Sequence, residues 1–188
     1  VSTIDELPPG RTPVLTKLIA AARREQVIER VRHACEGGAQ AYWVCPLIEE
    51  SEKLASQDIE LQNATALHEE LTAAMPDVRV ALLHGRMKAE EKAAIMADFA
   101  ANRIQVLVAT TVIEVGVDVP SATLMVIEQA ERFGLAQLHQ LRGRVGRSSQ
   151  RAYAYFLHPA DYELPEDARQ RLETIVEIGQ LGSGFGIA

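Results

Sequence analysis

Three arginines crowd into one short run, Leu141-Arg142-Gly143-Arg144-Val145-Gly146-Arg147, with two glycines among them. Guanidinium forks match the planar oxygens of phosphate and stay charged at any accessible pH, so arginines this close point to an anionic partner. The glycines leave room for a close backbone approach. A solvated loop has the same composition, and Arg142 has the further option of pairing with an acidic residue. An upstream run, Ala109-Thr110-Thr111-Val112-Ile113-Glu114-Val115-Gly116-Val117-Asp118-Val119-Pro120, offers different chemistry. The hydroxyls of Thr110 and Thr111, and backbone N–H groups left free at a strand end, suit phosphate oxygens. The competing reading is two β-branched residues closing a strand. Asp118 suits ribose hydroxyls, or caps a turn before Pro120. Glu114 suits a charge pair with a nearby arginine. His84-Gly85-Arg86 is a third candidate: Arg86 can hold a phosphate, Gly85 permits close approach, and a helix starting near Lys88 would add N–H donors. His84 is equally readable as a structural strand-end histidine.

The elements that must position these residues alternate along the chain. Strands are expected at Ala41–Pro46, Val78–Leu83, Ile104–Ala109, Thr123–Ile127 and Ala152–Leu157, each a continuous apolar run. Helices are expected at Glu25–Cys35, Ala64–Met75, Lys88–Ala101, Leu135–Leu141 and Glu166–Ile178. The polar stretch Glu49–Gln62 reads as a loop, and Leu7–Pro13 as a Pro/Gly-rich linker. Continuous apolar strands between helices indicate an α/β protein with a parallel sheet covered on both faces. Ligands of such sheets sit at the carboxyl ends of the strands, here Pro46, His84, Thr110-Thr111 and Glu128. Tyr42 and Trp43 lie inside a strand and are expected in the core, as is Phe133 ahead of a helix.

The chain has 188 residues, 47% of them hydrophobic, enough for one domain with a real core. Its formal net charge of −7 argues against a general nucleic-acid binder. Local basic clusters escape that argument if Glu49–Glu60 and Asp161–Asp167 face elsewhere; Arg142–Arg151 is one and His84–Lys92 a weaker one. No apolar run approaches the ~20 residues of a membrane span. Cys35 and Cys45 lack metal-site spacing and read as buried thiols of a reducing compartment. No GxxxxGK[ST] phosphate loop is present, so the chain does not bind and hydrolyse ATP alone in the P-loop manner.

The ordered pair of runs at Ala109–Pro120 and Gln140–Arg147 resembles motifs V and VI of superfamily 2 helicases and translocases. Four further segments are similar to the RecG family of bacterial branched-DNA translocases: Ile4–Arg11, Leu47–Glu52, His84–Met87 and Glu131–Gln140. The resemblance implies a RecA-like three-layer αβα sandwich, the P-loop NTPase superfamily fold without its own P-loop, serving as the second of two motor domains. Residues 1–13 would be the interdomain linker, 14–160 the RecA-like domain, and 161–188 a helix leading into a coupling segment that breaks off. The Gly182-Ser183-Gly184 run is more glycine-rich than that family's pattern.

By the same resemblance Arg147 is the arginine finger, Arg144 its partner, and Gln140 senses the γ-phosphate side. Gly116 and Asp118 would touch the nucleotide; His84, Gly85, Arg86, Thr110 and Thr111 would touch DNA. ATP and Mg²⁺ would be held mainly by an N-terminal RecA-like domain, and no metal ligands are expected here. The whole protein would be a DNA helicase of the bacterial cytosol that remodels stalled forks and Holliday junctions, with no membrane partner. The isolated chain would be inactive. The same domain of the transcription-repair coupling factor, which shares Gly134–Leu138, is one alternative; a non-catalytic nucleic-acid-binding module is the other.

Overall fold

The computed structural model describes residues 14–46, 53–110, 119, 121–146, 151–160 and 164–180, without side chains for 53–60, 179 and 180. Six strands form one sheet: β1 (Val14–Ala20), β2 (Gln40–Val44), β3 (Val80–Leu83), β4 (Val106–Ala109), β5 (Ala122–Ile127) and β6 (Ala152–His158). Among the described residues five α-helices accompany them: α1 (Arg24–Glu36), α2 (Lys53–Ala74), α3 (Ala89–Ala100), α4 (Leu135–Arg142) and α5 (Glu166–Gln180). The strand order is β1-β6-β5-β2-β4-β3, and every pairing is parallel. All carboxyl ends therefore lie along one edge.

The central strands β2, β4 and β5 are buried at every position and, apart from Gln40 and Thr123, apolar, which is why they read as apolar runs. Their alternate residues feed two cores. Tyr42, Val44, Leu107 and Met125 face Phe99 of α3, Leu138 and Leu141 of α4, and Leu172 and Ile175 of α5. Ala41, Trp43, Val108 and Val126 face Val27 and Val31 of α1 and Leu67 and Leu71 of α2. The result is the expected three-layer αβα arrangement, with Tyr42, Trp43 and Phe133 in the core.

Two elements differ from the expectation. The loop expected at Glu49–Gln62 is helix from Lys53 onward. That stretch lacks an apolar stripe, but Lys, Leu, Ala, Gln and Glu are strong helix formers. Each added residue extends a helix already anchored by Ala64, Leu67 and Leu71. Strand β1, which carries Thr16 and Lys17 among its apolar residues, was not expected. Among the described residues it is an edge strand paired with β6, along seven residues in register from Val14↔Ala152 to Ala20↔His158. The linker expected at residues 1–13 lies outside the described residues.

Candidate phosphate-facing arginine turn and strand-end loops

Helix α4 is entered through a well-braced turn. Arg171 of α5 donates to the carbonyls of Glu131 at 2.9 Å and Phe133 at 3.3 Å. The Gly134 N–H donates to Gln137 Oε1 at 3.0 Å, closing the first turn. Leu138 and Leu141 then face the core, which leaves Gln140 exposed on the opposite side.

The arginines that follow part company. Arg142 turns inward and is only 6% exposed. Its guanidinium donates to Thr16 Oγ1 at 3.2 Å and to the Ile175 carbonyl, and meets His139 Nδ1 at 3.2 Å. It ties α4 to β1 and α5. The acidic partner considered for Arg142 is replaced by neutral acceptors, and burial pushes its pKa down.

Arg144 is half-buried, its N–H bonded to the Leu141 carbonyl at 3.0 Å. Val145 beside it is fully buried and pins the turn. Gly146 has φ +80°, a left-handed backbone that a side chain would strain. The glycine is therefore needed to turn the chain after α4. Arg147, Gly116, Asp118, Thr111 and Glu114 lie outside the described residues.

Strands β3 and β4 end side by side, since Leu83 pairs with Ala109. His84, Gly85 and Arg86 are thereby brought beside Thr110. Gly85 and Arg86 are exposed, and a side chain added at Gly85 would meet open space. Thr110 departs from its expectation. It is 4% exposed and its N–H donates to the Leu83 carbonyl at 3.3 Å, so that donor is not free for a phosphate.

His84 accepts the Arg86 N–H on Nδ1 at 3.2 Å, and burial together with Arg86 and Lys92 lowers its pKa despite Glu91. It shapes the loop as a neutral ring. The helix start near Lys88 is also already served: Glu91 accepts the Lys88 N–H at 3.1 Å, with Glu90 beside it in the first turn. Carboxylates occupy the place an external anion would take.

Sequence reasoning missed a network at the carboxyl edge. Arg24 donates to Glu128 at 2.7 and 2.9 Å and to Glu70 at 2.9 Å, while Trp43 Nε1 donates to Glu128 Oε2 at 2.9 Å. Burial disfavours the Arg24 charge, but the bonds to Glu70 and Glu128 outweigh it and raise the pKa. Arg24 also lies 5.9 Å from the Trp43 ring centroid. The partners are far apart in sequence, so no local pattern links them. This network fixes α1 and α2 over the ends of β2 and β5.

The match to the helicase conserved C-terminal domain covers residues 26–149, which include every candidate from His84 to Arg147. The chain belongs to that family. Across its whole length it is 56% identical to the ATP-dependent DNA helicase RecG of Acidithiobacillus ferridurans, and 56% identical to RecG of Escherichia coli strain K12. It spans 26% of the length of each of these relatives.

Among solved structures, RecG bound to a three-way DNA junction matches 97% of this chain and 22% of its own, with 43% identity and a TM-score of 0.75. Saccharomyces cerevisiae Dbp5 bound to RNA and ADP BeF3 matches 95% of this chain and 41% of its own, at 18% identity and a TM-score of 0.58. That second likeness speaks for the RecA-like fold alone. Among the described residues no helix is long and apolar enough to cross a membrane.

Proposed function

We propose that this chain serves as the second motor domain of a RecG-like, ATP-dependent DNA helicase of the bacterial cytosol that remodels branched DNA. The observation that carries this reading is the turn after α4. Arg142 is spent on internal hydrogen bonds, while Val145 and Gly146 fix the backbone around Arg144. A rigid turn of this kind holds a guanidinium in place with little reorganisation, which electrostatic catalysis of phosphoryl transfer requires.

Departure of the γ-phosphoryl group spreads negative charge over its oxygens, and an arginine supplied from a second domain neutralises that charge. Arg147 is assigned as this finger, Arg144 as its neighbour on the phosphates, and Gln140 as the hydrogen-bonding group on the γ-phosphate side. Gly116 gives close approach to the nucleotide, and Asp118 accepts from the ribose. ATP and Mg²⁺ are held chiefly by the phosphate loop of a preceding RecA-like domain. The residues here fit half of such a site, since they offer guanidinium and amide donors but no phosphate loop of their own.

Arg86, with Gly85 and Thr111, is assigned to the DNA backbone, with Thr110 buried behind them and His84 setting the shape of the His84–Arg86 turn. Whole-chain identity to RecG favours this reading over the coupling factor, and over a module that has lost its motor role.

The test joins this chain, through residues 4–11, to a RecG phosphate-loop domain and measures ATP hydrolysis with and without branched DNA. DNA-stimulated turnover confined to the joined form supports the proposal. A folded, ATP-binding pair without turnover contradicts it.

A further inference from the structure

A cavity of about 750 Å³ opens on the α1 face of the sheet, away from the arginine turn and the His84 loop. Helix α1 starts at the carboxyl edge, where Arg24 meets Glu128, and runs toward the opposite edge. The cavity lies along its later turns, beside the beginnings of β5 and β6. Arg30 and His33 of α1, Arg151 at the start of β6, and Tyr153 and Tyr155 on β6 form much of its wall.

Three features of this wall suit an anionic ligand. Tyr155 is 2% exposed, yet among the described residues no group meets its Oη in good hydrogen-bond geometry. A buried hydroxyl without a partner is rare enough to require an explanation. Arg30 lies close enough to this hydroxyl to favour its ionised form, but burial outweighs that cation and raises the phenol pKa, so the hydroxyl stays protonated. Neither Arg30 nor Arg151 is ion-paired among the described residues. The carboxylate on the wall, Glu29, is turned to Arg32 at 3.4 Å. Arg30, Arg151 and Tyr155 thus line one cavity, and among the described residues neither arginine has a carboxylate partner. Beside them the rings of Tyr153 and Tyr155 are stacked, with centroids 6.1 Å apart and planes 7° apart.

We propose that this cavity binds a nucleotide unit, its phosphate held by Arg30, Arg151 and the Tyr155 hydroxyl, and its base added to the Tyr153–Tyr155 stack. Guanidinium and phenol donors suit a phosphate, and aromatic platforms accept any base. The volume falls within the ~300–1,000 Å³ of ligand pockets and is far larger than a phosphate alone needs. The unit comes either from a free nucleotide or from a nucleic-acid strand. The assignment is independent of the roles given to Arg144 and Arg147.

The experiment is an amide NMR titration of the 188-residue chain, with AMP and, separately, with a short oligothymidylate at low salt. The expected result is movement of the Ala34, Thr123, Leu124 and Arg151 amides, which border the cavity. Response to AMP identifies a free nucleotide as a sufficient source; response to the oligomer alone identifies a strand. Tyr155→Phe is expected to weaken binding about threefold to tenfold, and combined Arg30→Gln and Arg151→Gln tenfold or more, with the remaining spectrum unchanged. Cavity amides that stay still with both probes at millimolar concentration would overturn the proposal. So would movements that persist at full affinity in the double-arginine variant.

Discussion

Replacing Arg142 with alanine separates the two jobs that one arginine run contains. The side chain is 6% exposed and joins α4 to Thr16 on β1 and Ile175 on α5. Each hydrogen bond from a charged donor contributes about 1.5–3 kcal/mol net. The desolvation of a buried guanidinium offsets part of that sum, while truncation also leaves a void between the two helices. The expected loss is therefore about 2–4 kcal/mol, or roughly 5–12 °C in Tm for a domain of this size. Arg144→Ala removes a half-buried side chain at a surface turn and is expected to cost at most about 1 kcal/mol. Urea and thermal unfolding of the two variants, followed by Trp43 emission, give the comparison. An Arg142→Ala protein that melts like wild type yet loses ATP turnover in the joined motor would refute the reasoning. The guanidinium would then serve the nucleotide and not the core.

Glu128→Ala strips Arg24 of its two bonds to that carboxylate and Trp43 of its acceptor. It is expected to cost about 2–3 kcal/mol in urea unfolding, and an unchanged midpoint would contradict the brace. Burial pushes the Cys35 thiol up to about 12, so the native protein at pH 8 is expected to resist thiol reagents at Cys35 until it unfolds. Prompt labelling of Cys35, located by peptide mapping, would contradict this. The folded pKa of His84 is lowered, so the fold favours the neutral ring. Its stabilising contribution is complete above the ordinary value of ~6.5 and fades as pH falls through the folded value. An NMR titration giving His84 a pKa above that of an unfolded peptide would contradict the sign.

The layered α/β fold was legible because β2, β4 and β5 are buried throughout and, Gln40 and Thr123 apart, apolar. The elements missed are those whose order comes from neighbours. Strand β1 is specified by its register with β6, and the first turns of α2 extend a helix anchored further along. At the candidate site, the spacing of Arg142, Arg144 and Arg147 suggested a phosphate-binding run but carried no orientation. Only the fold brings Thr16 and Ile175 to Arg142 and turns it inward. Thr110 is a similar case: a strand-end threonine looks available until Leu83 of the next strand takes its N–H. The Arg24–Glu128–Trp43 network left no sequence signal, because its members are remote and none is unusual in its own segment.

The central claim is that this domain supplies a charge-neutralising arginine to phosphoryl transfer in a partner domain. Its most direct test is steady-state, DNA-stimulated ATP hydrolysis by the joined motor carrying Arg147→Ala, at saturating ATP and with folding verified. The account predicts a fall in kcat of about 10³–10⁵ with KM for ATP changed only a few-fold. Turnover at the wild-type rate would contradict it.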